Sequence, residues 1–282
     1  MVIALVLVSA FLHAAWNAML RLQDDKDRTL VAAVTAATLF AAAIAALRWA
    51  VTAEPPFANA AAVGWSVAAG VGELAYFWSL AKALDAGPLG PVYTISRGGA
   101  VLLVWPTSIA VFAEPVTLPA AIGSAVVLGG LALSGADTGD ARATRRTALA
   151  WAVACACSIA GYHLAYKAAT EAHGSPTAVF AVALAVASAI NIGRLGPTGR
   201  RAAAAIVRTR LPRVLMMGAV CGGSFMILLE ALERSGAGYV LTLRNTSVLF
   251  ATGLAFAIGE RPRHAQIAGA VLVAAGAVVM GL

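Results

Sequence analysis

Residues 93–115 read YTISRGGAVLLVWPTSIAVFAEP, an apolar span with one arginine, Arg97, set inside it and Glu114-Pro115 at its end. Residues 240–262 read VLTLRNTSVLFATGLAFAIGERP and repeat that design, with Arg244 and Glu260 in the matching places. An arginine near the middle of a bilayer costs at least about 2.5–3.5 kcal/mol. Two of them in equivalent spans are too costly to be incidental.

The rest of the chain has the same character. Of its 282 residues, 61% are hydrophobic and 12% charged, about half the charge that a soluble domain carries, roughly 25%. Its apolar runs are about 20 residues long, enough to cross roughly 30 Å of hydrocarbon as helices. The short alternating segments of a β-barrel are missing. These features predict an all-α polytopic membrane protein with ten transmembrane helices. The spans fall near 2–20, 29–50, 61–82, 89–112, 117–135, 147–167, 175–194, 213–232, 236–258 and 264–281. Polar or turn-forming breaks separate them, at 21–28 (RLQDDKDR), Glu54-Pro55-Pro56, 85–88, 135–146 and 194–213. None is long enough for a separate soluble domain. The first span has no basic leader and carries His13 and Asn17, so it reads as a retained helix rather than a signal peptide.

The two halves align as repeats. Trp16-Asn17 and Arg21 match Tyr162-His163 and Lys167 at an offset of about 146 residues, and Thr29 and Arg48 match Ser175 and Arg194. Ala83-Leu84-Asp85 matches Ala231-Leu232-Glu233. The expected division is residues 1–138 and 147–282, joined by a linker at 139–146. Five spans per repeat is an odd number, so the second repeat is expected to sit inverted in the membrane. That plan puts a substrate site near the midplane, between the repeats.

A net charge of +7 could suggest a nucleic-acid partner, but the placement of the charge argues for topology instead, and no nucleic acid is expected. Fifteen Lys and Arg fall on one side of the ten spans and three (Arg48, Lys167 and Arg234) on the other. By the positive-inside rule this puts both termini outside. Cys155, Cys157 and Cys221 lie within spans without a CxxC pair and read as small packing residues.

Several polar side chains fall inside the spans. His13, Trp16 and Asn17 are spaced i, i+3, i+4 and share a helix face; Tyr162, His163 and Tyr166 line the equivalent helix. Glu73 shares a face with Tyr76 and Phe77 and is the one acid placed deep in the membrane, which makes it the candidate for coupling to protons or another ion. Arg97 could instead be locked to Glu73, and Glu230 is another possible carboxylate for the pair. Thr242, Asn245, Thr246 and Ser247 surround Arg244. Glu114 and Glu260 read as helix-boundary residues, and Gly218 and Gly222 as a packing surface. The histidines are not at metal-ligand spacing. HExxH, GxSxG and P-loop motifs are all missing, so no enzyme and no cofactor is expected.

With these residues in view, the chain resembles the EamA-like group of the drug/metabolite transporter superfamily over essentially its whole length. Each half has a span closing on an acid (Glu114-Pro115 and Gly259-Glu260-Arg261), followed by a Gly-rich helix. His13-Ala14-Ala15-Trp16-Asn17, YTISRG at 93–98 and RNTSVLF at 244–250 look like a subgroup of phosphonate-utilisation-associated membrane proteins. In that subgroup an acid commonly follows the second arginine; here the position is Asn245. The resemblance implies a secondary transporter of the inner (plasma) membrane, often an exporter, usually drawn with cytoplasmic termini. The expected cargo is a small polar, anionic or zwitterionic metabolite such as an amino acid or phosphonate. Arg97, Arg244, His13, Trp16, Asn17, Tyr76, Tyr93, Tyr162, His163 and Thr246 are the expected substrate-binding residues, in a monomer or homodimer. The alternatives are a lipid-linked sugar flippase of the same superfamily and, outside it, a non-transporting membrane sensor or enzyme.

Overall fold

A computed structural model describes residues 2–112, 117–136, 142–234 and 243–280. Glu114, Thr242, the start of the expected ninth span and the 137–141 stretch before the second half lie outside them. The described residues form ten helices: α1 (Val2–Arg21), α2 (Lys26–Thr52), α3 (Ala60–Ala86), α4 (Leu89–Phe112), α5 (Leu118–Ala136), α6 (Arg142–Glu171), α7 (Pro176–Arg194), α8 (Gly196–Arg234), α9 (Ser247–Ala257) and α10 (His264–Met280). Among them, α1, α2, α3, α6, α7 and α8 are long and apolar enough to cross a membrane, and the other four contain shorter apolar helices. The regular structure of the described residues is all-helical apart from one isolated bridge between Phe57 and Gly174.

Local chemistry sets the helix ends. Asp25 and Asn59 cap α2 and α3 by accepting from the backbone N–H groups of Arg28 and Ala62, both at 3.0 Å, each satisfying one otherwise orphaned donor. α2 stops at Ala53, whose left-handed backbone (φ 55°) turns its N–H back to the carbonyl of Trp49. Inside the helices, hydroxyls are satisfied within their own turn: Ser66, Thr94 and Ser96 donate to the carbonyls of Ala62, Gly90 and Val92. That suits a solvent that offers no hydrogen bonds. Large apolar side chains such as Leu39, Leu47, Trp49, Trp65 and Leu118 point outward, as lipid contact requires.

One expected break proves to be helical. The chain re-enters a helix at Gly196, and α8 carries this turn through a kink at Arg210 (φ −131°, ψ 31°) beside Pro212 into the span. The reason is the run RRAAAAIVRTR at 200–210: its arginines argued for a loop, but Ala and Arg are among the best helix formers. Arg200, Arg201, Arg208 and Arg210 are exposed while Ala203 is buried, so this segment is amphipathic.

Loops gather at two ends. At the basic end, Lys26 pairs with Asp85 at 3.1 Å, Arg194 with Asp27, and Arg210 with Asp24 at 3.7 Å. At the other end the α2–α3 and α6–α7 connections meet. Ser175 donates its N–H to the carbonyl of Pro56 (2.8 Å), and Asn59 donates to the carbonyl of Ala172 (2.9 Å).

Close contacts recur in pairs at the repeat offset. Thr38 donates to the carbonyl of Leu184 (3.2 Å), 146 residues on, and meets the Ser188 hydroxyl at 2.7 Å where α2 crosses α7. A Cβ on Gly70 would stand 2.5 Å from the Ala183 carbonyl oxygen, and one on Gly218 would stand 2.9 Å from the Ala33 carbonyl oxygen and the Ala37 nitrogen. Gly123 and Gly130 of α5 meet Gly276 and Gly269 of α10 the same way, with 2.5 and 2.6 Å to the facing carbonyl oxygens. Glycine there lets two backbones touch, the packing that membrane helices favour.

Candidate functional site

The polar residues of the spans converge between α1, α3, α4, α6 and α8 and the turn before α9. Trp16 and Asn17 are fully buried, and His13 nearly so. A belt position at the membrane surface for Trp16 is therefore ruled out. The His13 ring lies 6.4 Å from Trp16 and 6.2 Å from Tyr93 of α4, centroid to centroid. Trp16 meets Phe77 of α3 at 6.1 Å, and Tyr76 meets Tyr162 of α6 at 5.7 Å. Tyr162 continues the chain of rings to His163 at 4.5 Å and Tyr166 at 5.7 Å. Phe225 of α8 closes it, 5.9 Å from Tyr166 and stacked on Phe180 of α7 at 4.6 Å. One aromatic wall thus runs across both halves.

Both arginines stand at this wall. Arg97 is 5% exposed and Arg244 2%. The Arg97 guanidinium lies 5.9 Å from the centroid of Tyr93, one turn before it. That of Arg244 lies 4.6 Å over Phe225, a cation–π distance, and its Nη2 is 3.4 Å from His13 Nδ1.

No lock forms between Arg97 and Glu73. Glu73 is buried, but its Oε1 accepts from the Tyr166 hydroxyl at 2.7 Å. Tyrosine's O–H is an uncharged donor that can reach an acid in apolar surroundings, so the acid is satisfied away from the guanidinium. Among the described residues, neither arginine has a carboxylate within ion-pair distance. Arg97 Nη2, both Nε and Nη1 of Arg244, Trp16 Nε1, the Tyr162 hydroxyl, and Nε2 of His13 and His163 are buried without a protein partner. So are Asn17 Oδ1 and Glu73 Oε2, while Asn17 Nδ2 donates to the His13 carbonyl at 2.7 Å. Orphaned buried polar atoms are rare in native proteins, and most of those among the described residues gather at this site, Gln23 Oε1 and Ser134 Oγ lying elsewhere.

Of the expected residues, His13, Trp16, Asn17, Tyr76, Tyr93, Arg97, Tyr162, His163 and Arg244 are brought together. Thr246 is half-buried, and its hydroxyl is taken up by the Leu243 carbonyl at 2.7 Å. Phe225 was missed. The register that matches Ala83 to Ala231 also matches Phe77 to Phe225, so the repeat itself carried the signal. Tyr166 was placed on the right face but not tied to Glu73.

Glu260 is more than a boundary residue. Its carboxylate accepts from Arg21 Nε at 2.9 Å and from the Leu89 backbone N–H at 2.9 and 3.1 Å. It therefore caps α4 from the far half of the chain, while Arg21 also donates to the Leu84 carbonyl at 2.8 Å. This three-way latch closes the basic end above the arginines, beside a cavity of about 340 Å³ lined by Asp85, Gly87, Arg261 and Gln266. A second cavity of about 450 Å³ lies among Asp25, Asp27, Arg28 and Arg194. Its charges are already paired, and it is remote from the aromatic wall.

Residues 146–282 match the EamA-like transporter family, so the second half of this polytopic membrane protein carries a transporter-family domain. No curated protein matches the chain. A crystal structure described only as that of a protein superposes with a TM-score of 0.63 at 19% identity, over 99% of this chain and 95% of its own. At that identity the likeness concerns the fold alone.

Proposed function

We propose that this protein is a secondary active transporter, an exporter or exchanger, that carries a small anionic or zwitterionic metabolite by alternating access. The observation that carries the proposal is the pair of buried arginines at the meeting of the two halves, with unpartnered N–H groups and, among the described residues, no carboxylate within ion-pair distance. A buried cation without a counter-charge costs several kcal/mol, and an acidic group on the cargo supplies that counter-charge. His13, Trp16, Asn17, Tyr76, Tyr93, Tyr162 and His163 complete the site. Glu73, bonded to Tyr166, is the coupling acid. Thr246 serves the turn that presents Arg244.

The architecture we propose is ten spans as two inverted five-helix repeats, 1–138 and 147–282, in the inner membrane. The paired contacts at the repeat offset support it, as does the sorting of loops into a basic and a less basic end. The likeness of HAAWN, YTISRG and RNTSVLF to phosphonate-associated proteins agrees with an anionic cargo.

The test is melting of the purified protein, and uptake into liposomes, across amino acids, phosphonates, organic phosphates and lipophilic cations. Anionic or zwitterionic metabolites are expected to raise the melting temperature, since a ligand that binds only the folded state stabilises it by mass action. The shifts should vanish in Arg97→Ala and Arg244→Ala. Wild-type transport by those variants, correctly inserted, would overturn the assignment.

A further inference from the structure

We propose that the ligand of this site carries two negative charges on its oxygens, so that a dianion is the preferred cargo over a single carboxylate or a zwitterion. This rests on the reading of Arg97 and Arg244 as the substrate site and narrows it.

The first argument is a charge count. The two guanidiniums are buried on either side of the His13–Tyr93 contact, and among the described residues neither has a carboxylate within ion-pair distance. Glu73 is engaged by Tyr166 and pairs with neither arginine, and half-buried Glu230 on α8 forms no ion pair with either of them. Among the described residues, the cluster therefore holds two positive charges with no carboxylate in ion-pair contact with either. Each uncompensated buried charge costs several kcal/mol. A monoanion cancels one. A zwitterion has no net charge to offer, and its ammonium adds like-charge repulsion. A dianion cancels both.

The second argument is the hydrogen-bond inventory. Arg97 Nη2, Arg244 Nε and Nη1, and Trp16 Nε1 are unpartnered and can only donate. Against these four, Asn17 Oδ1 and Glu73 Oε2 are the unpartnered amide and carboxylate oxygens of the site, Gln23 Oε1 lying beyond it past the end of α1. The Tyr93 and Tyr162 hydroxyls and the two histidines can take either role, so they follow the ligand. A site so rich in donors fits a ligand dense in acceptors, and a phosphate monoester offers three strong acceptor oxygens.

The experiment uses a pair of isomers. At pH 8, ethyl phosphate is doubly charged, its second pKa being about 6, whereas dimethyl phosphate has the same atoms and one charge. Binding to the purified full-length protein is read from the melting temperature as a function of ligand concentration. Ethyl phosphate is expected to bind at least about tenfold more tightly, roughly 1.4 kcal/mol, and the preference should collapse in Arg244→Gln. Malonate separates two sources of the charge. If it equals ethyl phosphate, two carboxylates suffice; if it fails where ethyl phosphate binds, a single tetrahedral group is needed. Both results keep the dianion. Dimethyl phosphate, propionate or alanine binding as tightly as ethyl phosphate, in an arginine-dependent way, would sink the two-charge inference and leave the anion site standing. If none of these anions stabilises the wild type, both readings fall. The wild-type series decides the question even if Arg244→Gln does not fold.

Discussion

Glu260→Gln is the substitution that most directly probes how the basic end is held shut. The change keeps the size of the side chain and one oxygen for the Leu89 N–H, but removes the charge that Arg21 meets at 2.9 Å. Hydrogen bonds to charged groups contribute roughly 1.5–3 kcal/mol. The Arg21 and Glu260 side chains are 29% and 17% exposed, so solvent screening pulls the figure toward the lower end. A loss of about 2 kcal/mol corresponds to about a 30-fold shift in a two-state equilibrium. Val92 sits on α4 between the latched Leu89 and Arg97 and is 2% exposed. A thiol there, as Val92→Cys in a background with Cys155, Cys157 and Cys221 changed to Ser, reports opening of this end. Its modification by a membrane-impermeant maleimide from the basic side should speed up by about 30-fold. An unchanged rate in a variant that melts at lower temperature would refute the reasoning. Glu260 would then fasten a loop that does not move in the transport cycle.

Other outcomes follow from the same geometry. Gly276→Leu should lower the melting temperature markedly, by several kcal/mol of stability, because a Cβ there stands 2.7 Å from the Gly123 carbonyl oxygen and backbone cannot yield as a side chain can. Wild-type melting would mean that α5 and α10 do not touch. Tyr166→Phe leaves Glu73 without its 2.7 Å donor, at a cost of about 1–3 kcal/mol, and should change the pH dependence of transport. An unaltered pH profile would remove Glu73 from coupling. A reporter fused to the C-terminus should be active outside the cytoplasm, as the basic-residue count requires; activity in the cytoplasm would reverse the topology.

Much of the fold was legible because a bilayer demands long apolar runs and turn-forming breaks, and α1 to α5 follow those runs closely. The 196–209 helix was less legible. Its arginines mark it as outside the membrane, but charge does not distinguish a loop from an interfacial helix, whereas its alanines do. The arginines announced the site through their cost. Their partners could not be read the same way. Glu73 is within the same set of spans, yet its preference for Tyr166 over Arg97 depends on helix rotations of a few tens of degrees, which an apolar sequence leaves nearly unspecified. Glu260 looked like punctuation because its two donors come from Arg21 and Leu89, far away in the chain.

The paired contacts on α2 with α7 and on α5 with α10 have a mechanical consequence. Each crossing joins one half of the chain to the other, and the two are separate: α2 and α7 pack on α3 and α8, α5 and α10 on α4. A motion that preserves both must be a rotation about the line joining them, as on an axle with two bearings. Points on that line barely move, whereas the latch around Glu260, well off it, swings furthest. Roughening a bearing, for instance at Thr38 or Gly130, should therefore slow the exchange between states while leaving the grip of the arginines on their ligand unchanged.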